Sequence, residues 1–317
     1  MSGHTREMVV ALANVAILLL LAIATRGFFT ADNLLDLFLA NMPVMLVALG
    51  MTLIIISGEI DISVGSVFAV CSVVAGVTAR AGAPQLVYLA AACAAGAACG
   101  ALNGALTAYL RLPSIVVTLA TMVALRDGLR WQTQGAWVGG LPARFLRFGL
   151  GSTTYTLTVL VLTLLLTAGV ALGLRYLRIG RAVFATGSNA KAAREIGIDT
   201  RRLVFGVFTL TGAFTGLAAM LNAVRFHQIP SNSGIGMEMK VIAAVVVGGA
   251  SITGGSATVM GTVLGVVLLG IVGPALTFLG VSAYWENALQ GAIILAAVSA
   301  TVLGKRRRRL GEVAVAG

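Results

Sequence analysis

Between residues 8 and 303 the chain is a succession of apolar runs, most of them close to the length of a bilayer crossing, separated by short polar segments. That alternation admits one class of structure. A run of roughly 20 apolar residues can satisfy its peptide groups in lipid only as a helix or within a closed barrel, and these runs are too long for barrel strands. The runs are 8–25, 34–57, 64–79, 85–109, 114–129, 154–176, 203–224, 237–251, 257–279 and 285–303. The expectation is an all-α polytopic membrane protein with about ten transmembrane helices, in one transmembrane domain over 1–317. Residues 8–25 read as an uncleaved first helix, although Ala22 to Ala24 resembles a cleavage box. Pro43 is expected to kink the second run.

A mean hydropathy of +0.99 leaves no polar surface for a soluble fold. The 39 glycines permit close helix approach. A net charge of +11 would point to nucleic acid in a soluble protein, but here the basic residues crowd the ends of apolar runs and act as topology signals, so no nucleic-acid partner is expected. Cys71, Cys93 and Cys99 lie in apolar runs without redox or metal-ligand spacing. His4 and His227 are isolated, and no nucleophile motif is present, which makes a membrane enzyme a weak reading. None of Lys191, Lys240 and Lys305 sits in a glycine-rich phosphate loop, so ATP is not bound by that route. No catalytic, metal or cofactor site is expected in this chain.

One long polar segment, 175–202, interrupts the apolar pattern. It carries Arg175, Arg178, Arg181, Lys191, Arg194, Arg201 and Arg202 against Glu195 and Asp199. Ser188 or Asn189 can cap a short helix over 190–196, and Gly197 can end it. Ala193 and Ile196 share one face, Lys191 and Glu195 another. Two turns do not hold together alone in water, so this helix must rest against something. The basic residues place 175–202 and the tail 304–317, with Lys305 to Arg309, in the cytoplasm, along with both termini. The tail would also touch anionic lipid headgroups. Arg126, Arg130, Arg144 and Arg147 fall on the wrong side under this assignment unless some lie within helices or pair with Asp127.

The polar residues inside or between spans are the pathway candidates: Glu59, Asp61, Ser63, Asn103, Thr118, Thr121 and Asn222. An ionisable group at membrane depth is a functional hypothesis by default, so Glu59 and Asp61 are candidates for a proton or sugar site; at a helix end in water they would serve topology alone. The hydroxyls and amides could bond sugar hydroxyls or simply tie helices together. Glu238 and Lys240 could meet a partner or pair along their helix. The short match between 62–66 and 252–256, each flanked by apolar runs, suggests two related halves with a broken helix in each.

Four segments carry a family resemblance. They are ISGEIDISVGS at 56–66, ALNGALTAYLRLPSIVVTLATM at 101–122, GRAVFATGSNAKAAREIGI at 180–198 and GMEMKVIAAVVVGGASITGGSATVMGTVLG at 236–265. In this order they resemble the permease subunits of ATP-binding-cassette importers for monosaccharides, among them the ribose, xylose, rhamnose and autoinducer-2 systems. WVGGLP at 137–142 is most similar to the rhamnose and autoinducer-2 branches. The resemblance implies a bacterial inner-membrane subunit that moves a monosaccharide inward by alternating access. It implies a cytoplasmic ATP-binding subunit that consumes the ATP, a periplasmic or extracellular sugar-binding protein, and a second permease copy or related permease. The short helix would be the coupling helix, with Ser188 as cap and Asn189, Lys191, Arg194 and Glu195 as contacts to the ATPase. The competing class is a proton-coupled secondary sugar transporter using Glu59 and Asp61.

Overall fold

The structure, a computed structural model, describes residues 3–25, 27–282, 284–286, 288–293 and 295, with side chains from residue 7 onward. Most of the expected last span and the basic tail 304–317 lie outside the described residues. The helices are α1 (Gly3–Ala24), α2 (Ala31–Ile56), α3 (Val64–Arg80), α4 (Gln85–Ala108), α5 (Ser114–Thr133), α6 (Ser152–Tyr176), α7 (Arg178–Ser188), α8 (Ala190–Glu195), α9 (Thr200–Ala223), α10 (Met237–Val247) and α11 (Val259–Phe278). A 3-10 turn over Ala143–Gly149 precedes α6. The described residues hold no strand, only an isolated bridge between Val138 and Ile229.

The fold is all-helical, and the expected count of about ten transmembrane helices is not confirmed. Among the described residues, six helices are long and apolar enough to cross a bilayer: α1, α2, α4, α6, α9 and α11. The other runs fall short for separate reasons. The second half of α5 carries Arg126, Asp127 and Arg130, α3 has 17 residues, and α10 has 11. Two related halves are not confirmed either; the resemblance of 62–66 to 252–256 remains a local one.

Helix α2 is the axis of the bundle. From Met42 to Ile56 almost all of its side chains are buried, and Pro43 lies within it. Much of α9 and α11 is buried as well, whereas α1, α4 and α6 leave most of their residues on the outside. The tightest crossing is between α4 and α9. Gly96, Gly100 and Gly104 recur every fourth residue and face Phe208, Gly212 and Gly216, and a methyl group at Gly96 would strike the Gly212 carbonyl. Small residues at this spacing bring the backbones into contact, which supplies packing where lipid offers no hydrophobic drive.

The connections gather at two ends. At one, the segment joining α2 to α3, the α7–α8 loop and the segment joining α10 to α11 meet. At the other, Val138 pairs with Ile229, the Arg147 amide donates to the Val224 carbonyl, and Arg144 donates to the Gly82 carbonyl. Helices α3 and α10 both begin inside the bundle, with Gly65 near the start of α3 lying directly against the Glu238 carboxylate near the start of α10. From there α3 runs toward the second end and α10 toward the first.

Candidate functional site

A single stripe on α5 explains how the break between α2 and α3 is held. Ser114, Thr118, Met122 and Arg126 lie four residues apart and so share one face of the helix. The Ser114 hydroxyl accepts from the Ile60 amide at 3.2 Å, and Thr118 donates to the Ser114 carbonyl while lying 3.4 Å from the Ile60 carbonyl. The Ser66 hydroxyl donates to the Met122 carbonyl at 2.9 Å, and Arg126 pairs with Glu238 at 3.2 Å. The chain from Ile60 to Ser66 thus runs along the early turns of α5, so α3 starts well inside the bundle.

Four of the expected pathway residues come together there as one hydrogen-bonded chain. Thr121 donates to the Asn103 carbonyl oxygen at 2.7 Å, and the Asn103 amide donates to the Ser63 hydroxyl at 2.8 Å. Ser63 donates to Asp61 through its hydroxyl at 2.6 Å and its backbone amide at 2.8 Å. Asp61, Ser63, Asn103, Thr118 and Thr121 are all buried. The arrangement closes the open N-terminal end of α3 with a carboxylate and ties α4 and α5 to it, the behaviour of a structural knot. Asn222 lies elsewhere, on the cavity at the second end. Glu59 lies at the first end, in a pocket of about 350 Å³. Burial pushes its carboxyl above the ordinary range, opposed by a hydrogen bond from Ser114.

The polar segment 175–202 folds as α7 and α8. Of the two capping candidates, Asn189 takes the position: its side-chain oxygen accepts from the Lys191 and Ala192 amides, each at 3.0 Å. Ser188 is instead the last residue of α7 and packs against Gly255, so its expected role as cap is corrected. Helix α8 stops at Glu195, and Gly197 turns the chain with φ of 85°. Ala193 is buried, whereas Ile196, expected on the same face, is 76% exposed beside exposed Lys191, Arg194 and Glu195. The same small surface therefore presents one apolar and three charged side chains outward.

Under that surface, three glycine segments touch. The Gly255 amide donates to the Ile56 carbonyl at 2.9 Å, joining the end of α2 to the segment after α10. Gly187, near the end of α7, lies on both: a methyl group there would overlap the Ile56 carbonyl oxygen and come within 2.8 Å of the Gly255 nitrogen. A methyl group on Gly254 would stand 2.8 Å from the Gly58 α-carbon and from the Gly187 carbonyl oxygen. Both helix breaks and the α7–α8 loop therefore share one backbone-to-backbone junction.

At the second end a cavity of about 630 Å³ opens between α2, α3 and the segment after α9. This is the size of a small-ligand site. Asn222, Gln228 and Ser233 line it with Phe68, Trp137 and Phe226, and the Ser72 hydroxyl on its wall is buried without a hydrogen-bond partner. Lys240 pairs with Glu286 at 3.5 Å beside it, and Glu238 pairs with Arg126, so Glu238 and Lys240 do not pair with each other as one expectation had it. Sequence reasoning reached only Asn222 among these wall residues. Ser72 in an apolar helix and Phe226, two residues before Gln228, were the available signal.

Arg126 is accounted for within α5, and Arg130 lies 3.9 Å from Asp127 on the exposed face. Among the described residues no group of three or more His, Cys, Asp or Glu side chains could hold a metal ion.

Residues 33–298 match the family described as branched-chain amino acid transport system / permease component. The autoinducer 2 import system permease protein LsrC of Escherichia coli (strain K12 / DH10B) is 33% identical over 293 residues, covering 92% of this chain and 86% of that relative. The proteins of the same name from Yersinia enterocolitica (serotype O:8 / biotype 1B) and Yersinia pestis (strain Pestoides F) are each 33% identical over 292 residues, covering 92% of this chain and 81% and 83% of the relatives. No solved structure matches. The chain, a multi-helix membrane protein over nearly the whole length of these relatives, belongs to this family of permease components of ATP-binding-cassette importers.

Proposed function

We propose that this chain forms the membrane pathway of an importer that carries a small polar cargo inward, with autoinducer-2 or a closely similar monosaccharide as that cargo. The observation that carries the reading is the glycine junction. A surface-exposed loop seated on both helix breaks can pass a displacement straight to the segments that bound the cavity. In this reading Asn189, Lys191, Arg194 and Glu195 meet the groove of a cytoplasmic ATP-binding subunit, with Ser188 transmitting the contact from beneath. The chain lies in a bacterial inner membrane with both termini cytoplasmic. A second permease copy completes the pathway, and an external binding protein delivers the cargo to the cavity beside Trp137 and Asn222. ATP is used by the partner subunit and no cofactor is held here. Polar groups and aromatic faces side by side suit a sugar, whose hydroxyls need hydrogen bonds and whose ring faces are apolar.

The proton-coupled alternative is disfavoured by the placement of Asp61, which is held in a buried hydrogen-bond chain away from the cavity. The deciding experiment is uptake into proteoliposomes holding this chain, its ATPase and its binding protein, with autoinducer-2, ribose and rhamnose compared. Uptake that requires ATP and all three proteins, and that falls when Asn222 is changed to Ala, is the expected result. Uptake by this chain alone, abolished by a protonophore, would refute the reading.

A further inference from the structure

The smaller pocket at the first end has features that force transfer does not require. Its walls come from the α2–α3 break (Glu59), the end of α4 and the turn after it (Thr107, Arg111), α7 (Thr186), α8 (Arg194) and the start of α9 (Arg201). Two of those walls carry hydroxyls with no hydrogen-bond partner, on Thr107 and Thr186, which are only 7% and 5% exposed. Other buried threonines in this protein donate to the carbonyl one turn back, as Thr118, Thr163 and Thr215 do. A buried hydroxyl left unpaired destabilises the folded state, because it loses its bonds to water without gaining any. Two of them on one cavity indicate a ligand that accepts from both.

The charge around the pocket states the sign of that ligand. Arg111, Arg194 and Arg201 line it, and among the described residues none of the three is in an ion pair. The N-terminal end of α9 reaches the same place through Thr200, although the Asp199 carboxylate caps it by accepting from the Arg202 amide. Among the described residues the only acid on the walls is Glu59. Burial pushes its carboxyl above the ordinary range, opposed by a hydrogen bond from Ser114. Guanidinium groups with hydroxyl donors are the usual recognition set for phosphate oxygens.

We propose that this pocket is a phosphate-binding site on the coupling side of the permease, taking either the phosphate monoester of a small molecule or the phosphate of an anionic lipid headgroup. A phosphate held there bridges the α4–α5 turn, α8 and α9, and so restrains the short helix from moving against the α2–α3 break. Occupancy is then a brake on turnover applied from the side to which cargo is released. Binding does not depend on the transport reading, but the braking effect does.

The test uses the complete complex in phosphatidylcholine nanodiscs, titrated calorimetrically with inorganic phosphate and with glycerol 3-phosphate, glycerol serving as the uncharged control. Wild type should bind both anions and not glycerol. The Arg111→Gln, Arg201→Gln double variant should weaken binding by about tenfold or more. Thr107→Val, which keeps the side-chain shape, should weaken it several-fold at a melting temperature equal to or above that of wild type. Repeating the titration with phosphatidylglycerol added separates the two sources. A weaker apparent affinity identifies the lipid headgroup as the occupant, and an unchanged one identifies a soluble ester. Either no anion binding by wild type, or identical binding by wild type, the double variant and Thr107→Val, would overturn the proposal.

Discussion

Replacing Gly187 with alanine tests the junction at its narrowest point. The new methyl group would overlap the Ile56 carbonyl oxygen and stand 2.8 Å from the Gly255 nitrogen, so it intrudes on the hydrogen bond joining the two breaks. Both obstacles are backbone atoms, which cannot turn aside as a flexible side chain would. To reach ordinary contact the α7–α8 loop has to retreat by more than about 1 Å. Forcing a methyl group into a packed site costs about 1–3 kcal/mol, and losing the Gly255 to Ile56 bond adds about 1 kcal/mol. The part most easily displaced is the loop itself, because α8 is only six residues long. The variant should therefore insert and assemble, melt a few degrees lower, and hydrolyse ATP while moving cargo at a small fraction of the wild-type rate. The assay is cargo uptake and ATP hydrolysis measured on the same proteoliposomes, with Gly206→Ala as a control, since a methyl group there meets only open space. Gly187→Ala with a wild-type ratio of uptake to hydrolysis would refute the reasoning.

Asn189→Ala removes both hydrogen bonds that cap α8 and should cost about 1 kcal/mol of local stability; uptake per ATP should fall, and Asn189→Ser should restore most of it. Arg126→Ala leaves the buried Glu238 carboxylate without its ion pair and should destabilise the protein by about 3 kcal/mol. Adding Glu238→Ala should recover part of that loss in a denaturation double-mutant cycle, and additive effects would count against the pair. Glu59 has its carboxyl pKa raised in the folded state, so folded protein binds more protons than unfolded protein, and stability declines as pH rises through and above the ordinary carboxylate range. Glu59→Gln should flatten that slope, with a melting temperature at or above wild type at neutral pH, measured in the same detergent across pH.

The features legible from the chain were those set by neighbours in sequence. The break at 58–65 announced itself by two carboxylates and two glycines between apolar runs, and α8 by Asn189 and Gly197 at either end of a short helix. Choosing between Ser188 and Asn189 was beyond the local pattern, because α7 continues through Ser188 only once Gly187 is seated on Ile56. Hydropathy also does not tell a full span from a shorter helix. It registers an apolar run without knowing that α3 and α10 begin inside the bundle, against other helices. The pairing of Arg126 with Glu238 spans 112 residues, and the union of Ser63 with Asn103 spans 40, so neither had a local signature. Asn103 and Thr121, picked as possible sugar contacts, turned out to satisfy each other and Ser63.

The contact between Glu238 and Gly65 bears on how a stroke would travel. Each helix carries about half a positive charge at its N-terminal end, and here two such ends face one another in a dry interior. Asp61 answers the α3 end from its own side. The Glu238 carboxylate, carried by α10, lies against the α3 start with Arg126 behind it. Pulling α10 away would draw that carboxylate off the α3 end and away from Arg126, so the cheaper displacement carries both helices together. The pair then behaves as a single rod, jointed where α2 ends and where α10 runs out. If the α7–α8 loop takes the motor's pull, as proposed above, that pull reaches the far mouth of the bundle through α3, a helix that need not touch the motor.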